Sequence, residues 1–246
     1  MTAERASAQA QLYDRVWSRT RVWSHTAWPS WDAIQPCLRP GGTYLEIGAG
    51  TRPHLPVQGS CFVDVSLVAA SALAAHGARA NLGSAARLPF GAATFHLVVA
   101  CEVLEHVTDD QTALAEIARV LRPDGVFIFS VPLHAHLWTR HDDLVGHQRR
   151  YEPTQLVRFL AAQGLRVERY QPGVATQYQL IKVIGARLFE RLPSLAVWLE
   201  DRVALPLGLW LRRRIPHATA WKRDLASEQD TSTPSALILC RQAGAA

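Results

Sequence analysis

Four short apolar runs constrain the fold of this 246-residue chain more than any other feature. They cover residues 43–48, 61–65, 95–102 and 125–132, and helical patterns or turns lie between them. Valine, isoleucine and phenylalanine fill the runs without polar alternation, which is typical of strands buried on both faces. Strands that alternate with helices predict a doubly wound, mostly parallel α/β sheet, and ligands bind such sheets outside the carboxyl ends of the strands.

Further elements are predicted on both sides of this pattern. A helix over 66–77 ends on a glycine suited to a C-cap, and Thr108 and Gln111 form a capping box for the next helix. The later elements are a helix over 153–163 and two strands over 165–171 and 235–242.

We predict a single domain over residues 1–246. Its parts are an N-terminal helical segment (1–40), a cofactor-binding core (41–172), a helical cap or insertion (173–234), and the last strand with its tail (235–246). The N-terminal segment is expected to hold a helix over 4–24. It contains four tryptophans, which either pack against the core or cover a substrate as an aromatic lid: Trp17, Trp23, Trp28 and Trp31.

Composition narrows the class of protein. The chain is 48% hydrophobic and 19% charged, as globular proteins are, and this argues against disorder and coiled coils. Its four cysteines are scattered, which favours a reduced, intracellular location, and its N-terminus has no secretory signal pattern. No window approaches the roughly 18 apolar residues of a membrane span. We expect a cytoplasmic protein, or one that lies against a membrane surface.

The insertion combines basic and apolar residues. Residues 182–223 carry nine lysines or arginines against three acids, so 178–223 is a candidate for peripheral membrane contact. The same segment could instead cap a substrate or pack plainly on the core. Nucleic-acid binding is not expected, because the basic residues sit among bulky aliphatics. The sequence carries no signal for an oligomeric state.

A glycine turn follows the first strand, at Gly48 and Gly50. A dinucleotide site needs a helix after such a turn, because the helix N-terminus binds the pyrophosphate. Only thirteen residues separate Gly50 from Asp64, and two of them are prolines, so at most one short helical turn fits. The turn therefore suits a nucleoside without phosphates. Asp64, at the end of the second strand, can bind its ribose hydroxyls, and Glu46 lies next to the other end of the ligand.

Several stretches together resemble a known family. "YLEIGAG", "FVDVS", "RLPF…FHLVVACEVLEHV" and "ALAEIARVLRPDGVFIFSVP" are similar to successive motifs of the class I S-adenosylmethionine-dependent methyltransferases, in the small-molecule group that is like methyltransferase type 11. The match runs from about residue 42 to 132. It implies S-adenosyl-L-methionine as cofactor and a seven-stranded sheet with an antiparallel last strand.

The resemblance also implies which residues bind the cofactor. The set consists of Glu46, Gly48, Ala49, Gly50, Asp64, Val65, Ser84, Ala85, Cys101 and Glu102. Ser84 stands where the group commonly has an aspartate for the adenine amine, and losing that charge lowers affinity by about 1 kcal/mol. His96 and Arg52 also depart from the pattern, at an aspartate and at the third glycine respectively.

Catalytic candidates lie after the fourth and fifth strands. Glu102, Glu105 and His106 form an E-x-x-E-H pattern. A similar pattern binds a divalent metal in ubiquinone-type O-methyltransferases, but the same letters recur in the group without one, so no metal is predicted. His106 is then either a general base or a structural histidine.

The long segment 133–152 holds four histidines and paired arginines. His147 or His141 is a candidate base there, with Arg149 or Arg150 binding an anionic group of the substrate. Alternatively, the acids Asp142 and Asp143 pair with the arginines and only fix the segment as a lid. The prediction is methyl transfer from S-adenosylmethionine to an oxygen or nitrogen of a small acceptor. A catalytically silent cofactor-binding protein is the alternative, and a nicotinamide-dependent oxidoreductase is disfavoured.

Overall fold

The computed structural model of the protein describes residues 3–173, 191–214, 220–228 and 230–243. Seven strands form one sheet in the order β3-β2-β1-β4-β5-β7-β6, and β7 runs antiparallel to both of its neighbours. The strands are β1 Tyr44–Ile47, β2 Cys61–Asp64, β3 Arg79–Leu82, β4 Phe95–Cys101, β5 Leu121–Pro132, β6 Leu165–Pro172 and β7 Ser235–Gln242. The doubly wound sheet with an antiparallel last strand is therefore confirmed.

Helices cover both faces of this sheet. They are α1 Ala3–Trp17, α2 Trp31–Ile34, α3 Leu67–Ala75, α4 Asp110–Val120, α5 Arg140–Val145, α6 Pro153–Ala162, α7 Pro193–Leu199 and α8 Leu205–Arg214. A π-helical turn, Glu200–Ala204, joins α7 to α8. Along the described residues, no helix combines the length and the apolar character needed to cross a bilayer.

The core has two layers because successive residues of a strand point to opposite faces. In β4, Leu97 and Val99 pack in a cluster with Leu73 of α3, whereas Val98 packs on the other face with Ile117 of α4. All three β4 side chains are fully buried, as expected for a central strand. This arrangement aligns the carboxyl ends of β1 to β4 along one edge of the sheet.

The predicted N-terminal helix over 4–24 is wrong at its end, since α1 stops at Trp17. Beyond it the chain turns to follow the loop after β1. The Thr20 hydroxyl lies 2.7 Å from the Thr51 hydroxyl, and the Trp23 N–H donates to the Thr51 carbonyl at 2.9 Å. These long-range bonds replace the helical ones.

The predicted capping box at Thr108 is also wrong. Asp109 caps α4, and its carboxylate accepts from the Thr112 N–H at 3.0 Å. The Thr108 carbonyl accepts instead from Arg149 at 2.7 Å. Of the predicted insertion, α7 and α8 are described, whereas 174–190 and 215–219 lie outside the described residues. The proposed segment boundaries stay predictions.

Candidate active site

The glycine turn after β1 is held in a backbone conformation that favours glycine at two positions. Gly48 has φ +66° and Gly50 has φ +56°. A Cβ atom on Gly48 would lie 2.7 Å from Val103, and one on Gly50 would lie 2.3 Å from the Trp17 ring. Both conformation and space therefore require glycine. Ala49 between them is buried, and residues 51–60 contain no helix, as the prolines predicted.

Asp64 ends β2 and braces this turn. Its side chain is only 5% exposed, and its two oxygens accept from the Gly50 N–H and the Ser66 N–H, both at 2.8 Å. Burial raises the pKa of Asp64, although the two N–H donors oppose that shift. A carboxylate accepts about four hydrogen bonds, so Asp64 keeps acceptor capacity for a pair of hydroxyls.

The residues expected to contact the adenine lie next to Asp64. Strand register pairs Asp64 with Leu82, and the Gly83 N–H donates to the Asp64 carbonyl at 2.9 Å. Ser84 follows as an exposed residue, whereas Ala85 is buried. The neighbouring Val65 is 40% exposed. These positions are where the resemblance expects a nucleoside, and their contacts with it stay predictions.

The Glu46 carboxylate already accepts hydrogen bonds from the loop that follows the glycine turn. Its fully buried carboxylate accepts from the N–H groups of His54 and Leu55 at 2.8–2.9 Å, and from the His54 ring at 3.1 Å. Burial lowers the pKa of His54, but Cys101 and Glu46 outweigh it and raise that pKa above its ordinary value. Glu46 thus fixes the loop between β1 and β2, and its predicted contact with the cofactor stays a prediction.

The end of β4 lies beside the glycine turn. Cys101 is the last residue of the strand, and Glu102 after it adopts φ +55°. The Glu102 carboxylate accepts from the Ser130 hydroxyl at 2.7 Å, which ties the end of β4 to β5. Val103 then lies against Gly48, so the turns after β1 and β4 meet.

Helix α1 packs over the glycine turn and against His106; the sequence analysis offered core packing or a lid over a substrate for its tryptophan but did not predict these partners. Trp17 packs on Gly50, and the Tyr13 ring meets the His106 ring edge-on at 5.8 Å. The Asp14 carboxylate accepts from the Ser66 hydroxyl at 2.6 Å and from the Val68 N–H at 3.2 Å. Helix α1 is therefore anchored to the first turn of α3, directly beside Asp64. No local pattern in α1 reveals these partners.

A buried cluster of acids and histidines adjoins the His106 ring. Asp142 is fully buried, and its carboxylate accepts from the His147 ring Nδ1 at 2.7 Å and from Arg150 at 2.9–3.0 Å. Although burial raises the pKa of Asp142, hydrogen bonds from Arg150 and Thr139 outweigh it and hold that pKa well below its usual range. An ionised carboxylate only accepts, so the proton of neutral His147 lies on Nδ1 and Nε2 carries a lone pair.

The lone pair of His147 faces the centre of this cluster. Nε2 lies 3.9 Å from the fully buried Glu105 carboxylate, and the His147 and His106 rings are 4.7 Å apart. Burial lowers the pKa of His147 although Asp142 opposes it, and burial together with His147 lowers the pKa of His106 to about 4. Both imidazoles are thus neutral near pH 7, as proton acceptors must be.

The same cluster has donor atoms suited to a cation. One ligand atom from each of Glu105, His106 and His147 lies within 4.8 Å of the other two. Carboxylate and imidazole donors at this spacing match the ligand types of several divalent metals. The predicted absence of a metal is not tested by this arrangement and stays a prediction.

The remaining catalytic candidates lie at the edge of the cluster. Arg149 forms an ion pair with Asp110 at 2.6 Å in addition to its bond with Thr108, so an anionic substrate would have to compete for it. The His141 ring lies 6.4 Å from that of His147. Arg150, which binds Asp142, has the structural role that the sequence analysis weighed as one alternative. Substrate contacts of Arg149 and His141 stay predictions.

The contact between Gly50 and Trp17 is testable with a matched pair of variants. Gly59 also has a positive φ (+86°), but nothing lies within 4 Å of its Cβ position. Gly59→Ala therefore measures backbone strain alone, about 1–2 kcal/mol. We expect Gly50→Ala to lower the free energy of unfolding by at least about 1 kcal/mol more, because Trp17 must also move. Urea unfolding measures the difference, and equal losses would contradict the contact.

Asp64→Asn tests the ribose role. An amide keeps one acceptor oxygen and loses the charge, so we expect affinity for S-adenosylmethionine to fall about tenfold, or about 1.4 kcal/mol. Isothermal titration calorimetry measures the change. Asp124→Asn, at an aspartate whose side chain is 51% exposed, is the matched control and should bind as the wild type does. Unchanged affinity in Asp64→Asn would remove Asp64 from the binding site.

The geometry as a whole fits a nucleoside sulfonium better than a dinucleotide. A buried carboxylate ends β2, two obligate glycines let the backbone approach a ligand, and residues 51–60 offer no helix N-terminus for a pyrophosphate.

Comparison with known proteins agrees with this fit. A family model described as "Methyltransferase domain" matches residues 45–129. The demethylmenaquinone methyltransferase of Mycobacterium bovis is 36% identical over 140 residues, which is 53% of this chain and 54% of that protein. The chain spans between a third and about half the length of the curated relatives that it matches.

Solved structures share the fold. An S-adenosylmethionine-dependent methyltransferase from Thermotoga maritima superposes with a TM-score of 0.59 and 16% identity, covering 97% of this chain and 96% of that one. The [4+2]-cyclase SpnF superposes with a TM-score of 0.55 and 18% identity, covering 95% of this chain and 80% of the cyclase. At these identities the likeness concerns the fold alone.

Proposed function

Because the chain contains a class I S-adenosylmethionine-dependent methyltransferase domain, we propose that it transfers a methyl group to an oxygen or nitrogen atom of a small, lipid-like acceptor. The observation that carries this proposal is the packing of α1 across two groups of residues. Trp17 packs on Gly50 of the glycine turn, which suits the cofactor, and the Tyr13 ring packs on His106, a neighbour of the neutral His147 imidazole.

The residues of the chain divide into binding and proton-accepting groups. S-adenosylmethionine, when bound, supplies a methyl group already activated by its sulfonium. The glycine turn and Asp64 bind and orient the cofactor, and Tyr13 and Trp17 of α1 pack against His106 and Gly50. Positioning of this kind contributes about 7–11 kcal/mol in favourable cases, so a base is required only for an acceptor that must lose a proton.

His147 is the proposed base. Its Nε2 takes the proton from the acceptor hydroxyl or amine, and Asp142 on Nδ1 holds the ring in the required tautomer. The imidazolium that forms lies between two buried carboxylates, those of Asp142 and Glu105. Both stabilise the positive charge until the proton passes to solvent.

A lipid-like acceptor is supported by two independent observations. One relative is named for demethylmenaquinone, a molecule of lipid character. In this chain, bulky apolar side chains are exposed on α7, and the π turn after α7 contacts the loop of the glycine turn through Glu200 and Arg52, at 3.1 Å.

The proposal is tested with S-adenosylmethionine labelled in its methyl group. The protein is incubated with a bacterial lipid extract or with a water-soluble metabolite extract, each with and without a chelator. We expect label to enter a solvent-extractable product from the lipid extract. Label only in water-soluble products would overturn the acceptor class, and none in either extract would favour a catalytically silent cofactor-binding protein. Loss of transfer with chelator would contradict the predicted absence of a metal.

A further inference from the structure

Helix α7 exposes large apolar residues on the face that points away from the protein. Its inner face carries Ala196 and Val197, both at most 8% exposed, and the fully buried Asp201 follows in the π turn. Its outer face carries Leu195 and Trp198, which are 43% and 50% exposed. A helix that only packs on a core places bulky apolar residues inward and charges outward. Packing against the protein therefore does not explain the outer face of α7.

The outer apolar face continues past the π turn. Such a turn closes on hydrogen bonds between residues i and i+5, and here the Leu205 N–H donates to the Glu200 carbonyl. Trp198 and Val203, five residues apart, can therefore share one side although an α-helix would separate them. The resulting apolar stripe consists of Leu192, Leu195, Trp198, Val203, Leu207 and Trp210, all between 43% and 53% exposed. It extends about 27 Å at 1.5 Å per residue.

This stripe holds most of the large apolar side chains that are exposed among the described residues. Six of the ten large hydrophobic residues that are exposed in the described ranges belong to it. Contiguous exposed apolar surface marks contact with another molecule or a membrane, whereas single exposed residues are ordinary. The stripe is therefore a contact surface.

The charges around the stripe indicate what it contacts. Both acids of 191–214 have partners: the buried Asp201 accepts from the Trp23 indole at 2.6 Å, and the half-exposed Glu200 pairs with Arg52 at 3.1 Å. The exposed Arg191 and Arg202 flank the stripe, although Arg202 also lies 3.4 Å from Asp201, and the sequence adds Arg212, Arg213 and Arg214 in α8. With five arginines against two acids that already have partners, this segment complements a negative partner.

We propose that the apolar stripe docks the protein on an anionic membrane surface. Tryptophan and leucine enter the boundary between headgroups and acyl chains, arginines contact acidic headgroups, and α7 and α8 lie in the plane of the interface. The inference does not depend on methyl transfer, since it rests on exposure and charge alone.

Docking in this way holds the glycine turn beside the bilayer. Arg52, which binds Glu200, comes two residues after Gly50, and its guanidinium lies 5.6 Å from the centre of the Trp17 ring. The Trp23 indole N–H donates to Asp201, and the backbone N–H of Trp23 donates to the Thr51 carbonyl. Both links run from the π turn to the loop of the glycine turn.

Vesicle flotation tests the proposal on the full chain. Vesicles of phosphatidylcholine, with or without phosphatidylglycerol, are compared for the wild type and for the double variant Leu195→Glu, Trp198→Glu. We expect the wild type to float with the anionic vesicles, and to do so less at high salt. The double variant should bind these vesicles at least roughly tenfold more weakly than the wild type. Leu82→Glu, at a leucine 58% exposed on the edge strand β3, is the matched control and should float as the wild type does.

Three results would overturn the proposal: no flotation of the wild type, equal flotation of the double variant, or equal loss in the control. A dimer seen by light scattering that the double variant disperses, without flotation, would assign the stripe to a second copy of the chain. Circular dichroism verifies folding, and Leu195→Ser with Trp198→Ser replaces the glutamate pair if folding is lost. Label transfer to a dissolved acceptor is scored separately, so failure of docking is distinct from failure of the enzymatic proposal.

Discussion

Replacing His147 with alanine is expected to slow methyl transfer by about 10²–10⁴-fold, the usual contribution of a positioned general base. Binding of S-adenosylmethionine should be unchanged, because His147 contacts the acid and histidine cluster and not the glycine turn. The ion pair of Asp142 with Arg150 remains in this variant, so the protein should still fold. Initial rates of label transfer at saturating cofactor measure the effect, and calorimetry verifies cofactor binding.

The pH profile distinguishes a base from a structural histidine. Only neutral His147 can accept a proton, and burial sets its pKa below the ordinary 6.5. The rate should therefore fall as pH drops through a value below 6.5 and stay flat above it, and His147→Asn should lose this step. His141→Ala is the control. If it slows transfer more than His147→Ala does, the base is His141.

The second large effect concerns stability. Asp142→Asn is expected to lower the free energy of unfolding by about 3–5 kcal/mol, because it removes one partner of a buried ion pair and leaves the Arg150 charge uncompensated. The Arg150 side chain is only 7% exposed, and its other acceptors are the carbonyls of Leu133 and Pro234. Urea unfolding monitored by tryptophan fluorescence measures the loss.

Asp143 provides the matched control for that measurement. It is adjacent in sequence and exposed, and its carboxylate accepts from the Trp138 indole at 2.9 Å. Asp143→Asn should change stability by about 0.5 kcal/mol or less, as surface substitutions usually do. Equal losses in the two variants would show that Asp142 and Arg150 do not hold the segment after β5.

Most of the sheet was predictable from sequence because its signal is local, whereas the largely exposed edge strand β3 was not among the predicted runs. The β4 strand is apolar on both faces since it lies in the middle of a sheet covered by helices, and no other environment suits such a run as well. Helix ends were less predictable. Whether α1 continues past Trp17 depends on Thr51, more than thirty residues away, and Thr108 fails as a cap because Asp109 takes that role.

In the candidate active site, too, some residues were identifiable from local sequence and others depend on long-range packing. Gly48, Gly50 and Asp64 were identifiable because a turn and two strand ends lie close in sequence. The cover of α1 over Gly50 joins residues 33 positions apart, and the approach of His147 to Glu105 joins residues 42 positions apart. Such contacts depend on how the elements pack, and the letters of either segment do not carry that information.

Titration of the wild-type protein with S-adenosylmethionine in a calorimeter, with NADH titrated in parallel, tests the central claim most directly. Our account predicts one saturable site for S-adenosylmethionine, competition by its demethylated product, and no heat of binding with NADH. Binding of NADH without binding of S-adenosylmethionine would contradict it, since the site formed by the glycine turn and Asp64 would then hold a dinucleotide.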